Sequence, residues 1–335
     1  MVFLKAEKPL RWGIIGCGDV CEVKSGPAFY KVEGSELVAV MRRNFDLAKD
    51  FAARHGVARY YSDAEALIAD REVDAVYIAT PPSSHLPYAL KVAEVGKLCC
   101  IEKPMALNFA ECQLINAAFE AKGLPVFVAY YRRSLPRFKQ VKAWLDQGQI
   151  GRPQHLQWTL RKPHTETDLK GSANWRTQAD IAGGGYFVDL ASHGLNLFEW
   201  LLGDIQRIHG VKSNLHGLYT VEDSVCASWL FDSGATGSGS WHFGARDDVD
   251  EVVIRGDRGL IRFNIFHDEA IKLDNGTIEK PIYIKHPEHI QYVHVQNILR
   301  HLKGELTHPS LGASAARTSW LMDCILGNDN STTLE

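Results

Sequence analysis

The chain has 335 residues, 45% of them apolar and 23% charged, with a formal net charge of −3. Length and composition suggest two globular domains with a sizeable core. They exclude the basic excess of a nucleic-acid binder, and no apolar run approaches the roughly 20 residues of a membrane span. The N-terminal "MVFLKAEKPLRWG" lacks the apolar stretch of a signal peptide. Seven Cys are scattered without a C-x-x-C pair, which fits reduced thiols and a cytoplasmic chain better than a disulfide framework.

In chain order, "LRWGIIGCG" is a short apolar run ending in glycines, and "SELVAVM" (Ser35–Met41) is a second strand. "FDLAKDFAARHG" is an amphipathic helix stopped by Gly56. "SDAE" (Ser62–Glu65) reads as a capping box opening a short helix. "VDAVYIAT" is a buried strand, "SSHLPYALKVAEVG" a helix ending at Gly96, and "KLCCIE" the next strand. "NFAE" (Asn108–Glu111) resembles a capping box with Asn as the cap, and "PVFVAYY" is a further strand. Strands separated by helices of this length predict βαβ units and a parallel sheet.

The composition changes after about Gly151. Strand candidates now follow one another: "QHLQWTLR", "DSVCASWLF", "GATGSGSWHF", "DEVVIRG" and "GLIRFNI". "FDSGAT" and "RGDRGL" look like hairpin turns, so a mostly antiparallel sheet is expected. Helices are expected at "YFVDLASHGLNLFEWLLG", "PEHIQYVHVQNILRHLKG" and "LGASAARTSWLMDCILG", the last able to fold back on the first domain. The polar tail Asn330–Glu335 is expected to fray.

"GIIGCGDVC" sets Gly16 and Gly18 directly after the first strand, with Cys21 where a dinucleotide fingerprint wants Gly or Ala. Such glycines permit a tight turn and let backbone N–H groups approach a pyrophosphate. A pair of turn glycines is the plain alternative, weakened by the strand before and the helix pattern after. An NAD site would put an acid at the end of the second strand. Arg42 and Arg43 stand there instead. Arginine suits the 2′-phosphate of NADP, and a solvated pair at a strand end is the alternative.

Lys103 follows a parallel strand, at the edge where open α/β sheets bind ligands. It is either a solvated strand-end charge or an acid–base group aimed into a cleft. "AGGGYFVDLASHG" adds Asp189 and His193, four apart on one face of an expected helix. Asp189 could orient His193, and His193 could exchange a proton with a substrate hydroxyl. A helix cap plus an idle His is the alternative, disfavoured by the apolar surroundings. Gly183, Gly184 and Gly185 precede that helix, and a ligand at the helix N-terminus is one reason for three glycines together. The 14 His include no H-E-x-x-H pattern, and no metal is expected.

"GIIGCG", "ATPPSSH", "EKPMALN" and "AGGGYFVDLASH", in that order and spacing, resemble the glucose–fructose oxidoreductase / inositol dehydrogenase (Gfo/Idh/MocA) family, as do "YYRRSLPRF" and "NWR". The resemblance implies an N-terminal Rossmann domain, a doubly wound parallel sheet, over residues 1–125. It implies a C-terminal α+β domain with a large, mainly antiparallel sheet over 126–335, serving substrate binding and oligomerisation. It implies hydride transfer between NADP or NAD and a carbinol carbon of a sugar, polyol or related compound, bound between the domains. Lys103, Asp189 and His193 would form the catalytic group, with the proton carried by either Lys103 or His193. Cofactor contacts would come from Gly16, Gly18, Asp19, Val20, Arg42, Arg43, Thr80, Pro81, Pro82, His85, Glu102 and Lys103. Arg132, Arg133, Arg176 and Tyr186 would lie near substrate or cofactor. A homodimer or homotetramer is implied, with neither nucleic acid nor membrane as partner. A catalytically silent cofactor sensor, and an enzyme that uses tightly bound cofactor for epimerisation or glycoside cleavage, are the competing functions.

Overall fold

The computed structural model describes residues 8–276 and 279–328. The polar tail and the first residues of the N-terminal segment lie outside the described residues. The described chain forms two compact units. One runs through Leu135 and includes Pro287–Ala316; the other takes Pro136–His286 and the chain from Arg317.

The first unit is built on six parallel strands: β1 (Leu10–Ile15), β2 (Ser35–Met41), β3 (Arg59–Tyr61), β4 (Ala75–Ile78), β5 (Leu98–Ile101) and β6 (Val126–Val128). Their order is β3-β2-β1-β4-β5-β6. Chain order therefore reverses between β1 and β4, and such a switch point opens a crevice at the carboxyl ends of the strands. β6 lies just past residue 125, where the sequence reading divided the chain, and it pairs in register with β5, Cys99 opposite Val126.

Strand residues alternate between two apolar clusters. Ile15, Ile78, Cys99 and Ile101 enter one, packed with Leu67, Val92 and Ile115. Ile14, Tyr77, Cys100 and Phe127 enter the other, packed with Phe29, Phe51 and Ile298. The adjacent Cys99 and Cys100 thus point to opposite faces, as a period of two dictates, and none of the seven Cys forms a disulfide.

Local signals place the helices. Helix Phe45–His55 is capped by the Asn44 side chain and closed by Gly56 at φ 68°. Helix Phe109–Glu120 is capped by Asn108, whose side chain accepts from the Glu111 N–H at 2.9 Å. The short helix Ala64–Ala69 departs from the expected capping box. Its cap is Asp63, which accepts from Glu65 and Ala66, rather than Ser62.

The second unit holds eight strands: β7 (Pro153–Lys162), β8 (Ile205–Ser213), β9 (Ser224–Phe231), β10 (Thr236–Phe243), β11 (Val249–Gly256), β12 (Leu260–Phe263), β13 (Ile271–Asp274) and β14 (Glu279–Ile282). Their order is β14-β13-β12-β11-β7-β10-β9-β8. Neighbours are antiparallel except β7 and β10, which run parallel because β7 inserts between β11 and β10. Helix Gly185–Leu202 packs on this sheet. Phe187 meets Trp241 and Phe198 meets Trp158 at ring distances of 5.1 and 5.5 Å. A Cβ at Gly194 would fall 2.3 Å from the Trp158 ring, so the helix carries glycine there to seat the indole. Burying each such large side chain stabilises the fold by roughly 1.5–3 kcal/mol. Among the described residues no helix is long and apolar enough to cross a membrane.

Candidate active site

At the carboxyl edge of the parallel sheet, β1 leads into the glycine loop. Gly16 has φ +88°, and an added Cβ would meet Thr80 Cγ2 at 2.7 Å and the Ala79 oxygen at 3.0 Å. The fold itself therefore demands glycine at 16. Gly18 is different. A Cβ there would meet nothing nearer than the Gly16 oxygen at 3.9 Å, so the chain's own packing leaves room at this position and does not require glycine. That room beside the loop fits a dinucleotide. Asp19 and Val20 open the helix Asp19–Val23, whose first N–H groups no preceding turn can take. Cys21 is buried, and its Sγ lies 3.8 Å from the Gly16 oxygen, so it fills the third small-residue position by close packing. At the end of β2, Arg42 is half-buried and Arg43 exposed, and neither makes an ion pair among the described residues.

The loop after β4 carries Thr80, Pro81 and Pro82. Ser84 Oγ donates to Thr80 Oγ1 at 2.8 Å. His85 is fully buried, with Nδ1 3.0 Å from the Pro104 oxygen and Nε2 2.7 Å from the Thr80 oxygen. Burial holds its pKa below the ordinary histidine value, although both carbonyls favour a proton. His85 ties the loop after β4 to the loop after β5; in the structure it is a strut.

β5 is followed directly by Glu102 and Lys103. The Lys103–Pro104 peptide is cis. Lys103 is half-buried. Glu102 is only 8% exposed, and its carboxylate is held from three sides. Tyr77 Oη donates to Oε1, Gln291 Nε2 donates to Oε1 at 2.7 Å, and the Lys103 N–H donates to Oε2 at 3.1 Å. Burial, then the neighbouring carboxylate, raises the Tyr77 phenol well above its usual value.

In the second unit, Asp189 and His193 share one face of helix Gly185–Leu202. Asp189 Oδ2 accepts from Arg176 Nε at 3.2 Å, and the Arg176 guanidinium lies 4.4 Å from the Trp175 ring centroid. His193 is buried, and its ring meets Phe266 at 5.8 Å. Tyr186 belongs to a polar cluster that the sequence reading missed. Its hydroxyl donates to Asp168 Oδ2 at 2.7 Å and accepts from Asn174 Nδ2 at 2.7 Å, while Thr165 Oγ1 donates to the same Asp168 oxygen at 2.6 Å. Burial pushes the Asp168 carboxyl up, but the donors Thr165, Tyr186 and Asn174, whose Nδ2 also lies 3.3 Å from Asp168 Oδ1, outweigh it and hold the pKa below the ordinary value. Tyr186 is raised, first by burial.

The glycine triplet has a different cause from the one expected. Gly183 and Gly185 have φ +81° and +62°. A Cβ at Gly184 would fall 2.5 Å from Leu326 Cδ1, and one at Gly185 2.4 Å from Val221 Cγ2. The chain's own backbone and side chains account for the run, without a ligand.

The structure thus gathers Gly16, Gly18, Thr80, Pro81, Pro82, Glu102 and Lys103 at one sheet edge, and Arg176, Tyr186, Asp189 and His193 around the start of one helix. Arg132 and Arg133 are buried in the first unit. Arg133 Nη1 donates to the Pro309 oxygen at 2.9 Å, and Arg132 lies over the Tyr131 ring. Among the described residues no cluster of His, Cys, Asp and Glu could hold a metal ion.

A family model described as "Oxidoreductase family, NAD-binding Rossmann fold" matches residues 10–130, and one described as "GFO/IDH/MocA C-terminal domain" matches 138–262. "Oxidoreductase P35" of Formosa agariphila is 42% identical over 322 residues, covering 96% of this chain and 99% of its own. Levoglucosan dehydrogenase of Pseudarthrobacter phenanthrenivorans is 28% identical over 250 residues, covering 67% of this chain and 64% of its own. A structure of levoglucosan dehydrogenase in complex with NADH and levoglucosan superposes with a TM-score of 0.83 at 25% identity, over 96% of this chain and 97% of that one.

Proposed function

Since the chain belongs to the Gfo/Idh/MocA family of oxidoreductases, we propose that it moves a hydride between NADP and the carbinol or carbonyl carbon of a sugar, a polyol or a related small molecule. The observation that carries the reading is Lys103 on the same carboxyl edge as the glycine loop, beside the switch point of the sheet. The nicotinamide, when bound, supplies the hydride acceptor or donor. Gly16, Gly18, Asp19 and Val20 would hold the pyrophosphate. Thr80, Pro81, Pro82 and Glu102 would line the nicotinamide end, with His85 bracing the loops behind them. Arg42 and Arg43 favour NADP over NAD, because they stand where an acid would read the ribose and bring positive charge instead.

Lys103, Asp189 and His193 are the catalytic residues in this reading. In oxidation His193 takes the hydroxyl proton, and Lys103 donates hydrogen bonds to the oxygen as it gains carbonyl character. The two can exchange roles. Arg176 neutralises Asp189, and Tyr186 offers a remaining acceptor site to a substrate hydroxyl. Support for a sugar-class substrate comes from relatives whose names carry one. Seven Cys without a disulfide support a reducing, cytosolic setting, and a homodimer or homotetramer is the assembly expected.

Purified protein mixed with NADP or NAD and a panel of sugars and polyols tests the reading by absorbance of reduced cofactor. Net reduction is the predicted outcome. Substrate turnover without net cofactor change would identify an epimerase or glycoside-cleaving enzyme. Cofactor binding without any turnover would identify a sensor.

A further inference from the structure

We infer that Tyr77 and Gln291 are positioning residues for Lys103, acting through the buried carboxylate of Glu102. The inference rests on the proposed catalytic role of Lys103. Glu102 is the residue immediately before Lys103, and its Oε2 accepts the Lys103 backbone N–H at 3.1 Å. Its side chain therefore fixes the backbone from which the lysine side chain departs. A carboxylate this deep persists only when its lone pairs are satisfied. Tyr77, on the adjacent strand β4, and Gln291, 189 residues away in sequence from Glu102, supply the two donors to Oε1.

The amide of Gln291 shows where the demand lies. The residue is 1% exposed, and its Nε2 points at Glu102, with Tyr77 Oη 3.4 Å away. Its Oε1 is buried with no hydrogen-bond partner among the described residues. Flipping the amide would turn oxygen toward carboxylate, so the donor is kept on Glu102 although the acceptor is left orphaned. Buried orphans of this kind are rare and call for a reason. Tyr77 is held in turn by stacking on Phe29 at 4.5 Å. Gln291 stands at the start of helix Tyr292–Leu302, so the segment Pro287–Ala316 contributes one of the donors that hold the β5 end.

The test compares Tyr77→Phe, Lys103→Met and the double variant in the NADP-linked assay. Tyr77→Phe should lower kcat about tenfold, within the range for a displaced catalytic group, while cofactor Kd stays within about twofold. In the Lys103→Met background the same substitution should cause no further loss, because its effect runs through the lysine. Should Tyr77→Phe not fold, Gln291→Asn, which withdraws the other donor, reads the same quantity. Multiplicative losses in the double variant, or an unchanged kcat for Tyr77→Phe, would overturn the inference and leave Lys103 in place. An unchanged kcat for Lys103→Met alone would overturn both.

Discussion

Asp189 Oδ2 accepts a hydrogen bond from Arg176 Nε at 3.2 Å, and His193 stands one helical turn beyond Asp189 on the same face. The carboxylate is therefore already charge-paired, with a guanidinium that is 44% exposed and lies over Trp175. Arg176→Ala should lower kcat, and Arg176→Lys should restore only part of it, because lysine lacks the planar group that stacks on the indole. Steady-state kinetics of the two variants check this. A kcat equal to that of the unaltered protein in both variants would show that Arg176 serves neither Asp189 nor the substrate.

Asp189 and His193 should behave as one unit. Asp189→Asn and His193→Asn should each reduce kcat by about 10²-fold or more, and the double variant should lose little beyond the larger single effect. Full additivity would assign them to separate steps.

Cofactor choice rests on Arg42 and Arg43. Fluorescence titration should find NADP bound more tightly than NAD. Arg42→Ala with Arg43→Ala should shrink the difference by about tenfold or more, on the scale of charge-assisted hydrogen bonds lost to one phosphate. An unchanged preference would move the 2′-phosphate contact elsewhere.

The fold should weaken with mild acid. His294 and His308 are buried with ring centroids 4.7 Å apart, beside Cys100, His301, Phe127 and Arg133. Burial first, then the neighbouring ring, drives His294 well below its ordinary pKa of 6.5. Burial, opposed by the backbone contacts at His294 and Ser310 and assisted by the charges of His301 and Arg133, drives His308 down to about 3. Both rings are neutral in the fold and bind protons in the unfolded chain. Their contribution is complete above pH 6.5 and is lost as pH falls below it, for His308 down toward 3, by up to about 1.4 kcal/mol per pH unit for each ring. Urea unfolding from pH 7.5 to pH 5 should show declining stability, and His308→Asn should flatten the decline while lowering the value at pH 7.5. A slope untouched by His308→Asn would place the acid sensitivity in other groups.

Five of the six parallel strands were legible in the sequence because each is a short apolar run; β3, three residues with an exposed Arg59 and two half-buried Tyr, carries no such run and was missed, and the strand order that makes the switch point was not legible. That Lys103 follows a strand end and that Asp189 and His193 share a helix face were legible because both follow from local pattern. The donors to Glu102 were not. Tyr77 reads as one more apolar strand residue, and Gln291 reaches Glu102 only through the chain's return by way of Pro287–Ala316. The Asp168–Tyr186–Asn174–Thr165 cluster was hidden for a related reason: its members lie on or cap two short helices, Glu166–Leu169 and Trp175–Thr177, and the long helix Gly185–Leu202, whose meeting no periodicity encodes. The glycine triplet was misread because Leu326 and Val221, which demand it, lie far along the chain.

Lys103→Met tests the central claim most directly, since methionine keeps much of the length and removes the ammonium. With fold and cofactor affinity verified by thermal melting and titration, kcat for NADP-linked turnover should fall by about 10²-fold or more. Turnover near that of the unaltered protein would make Lys103 a solvated strand-end charge and contradict the account.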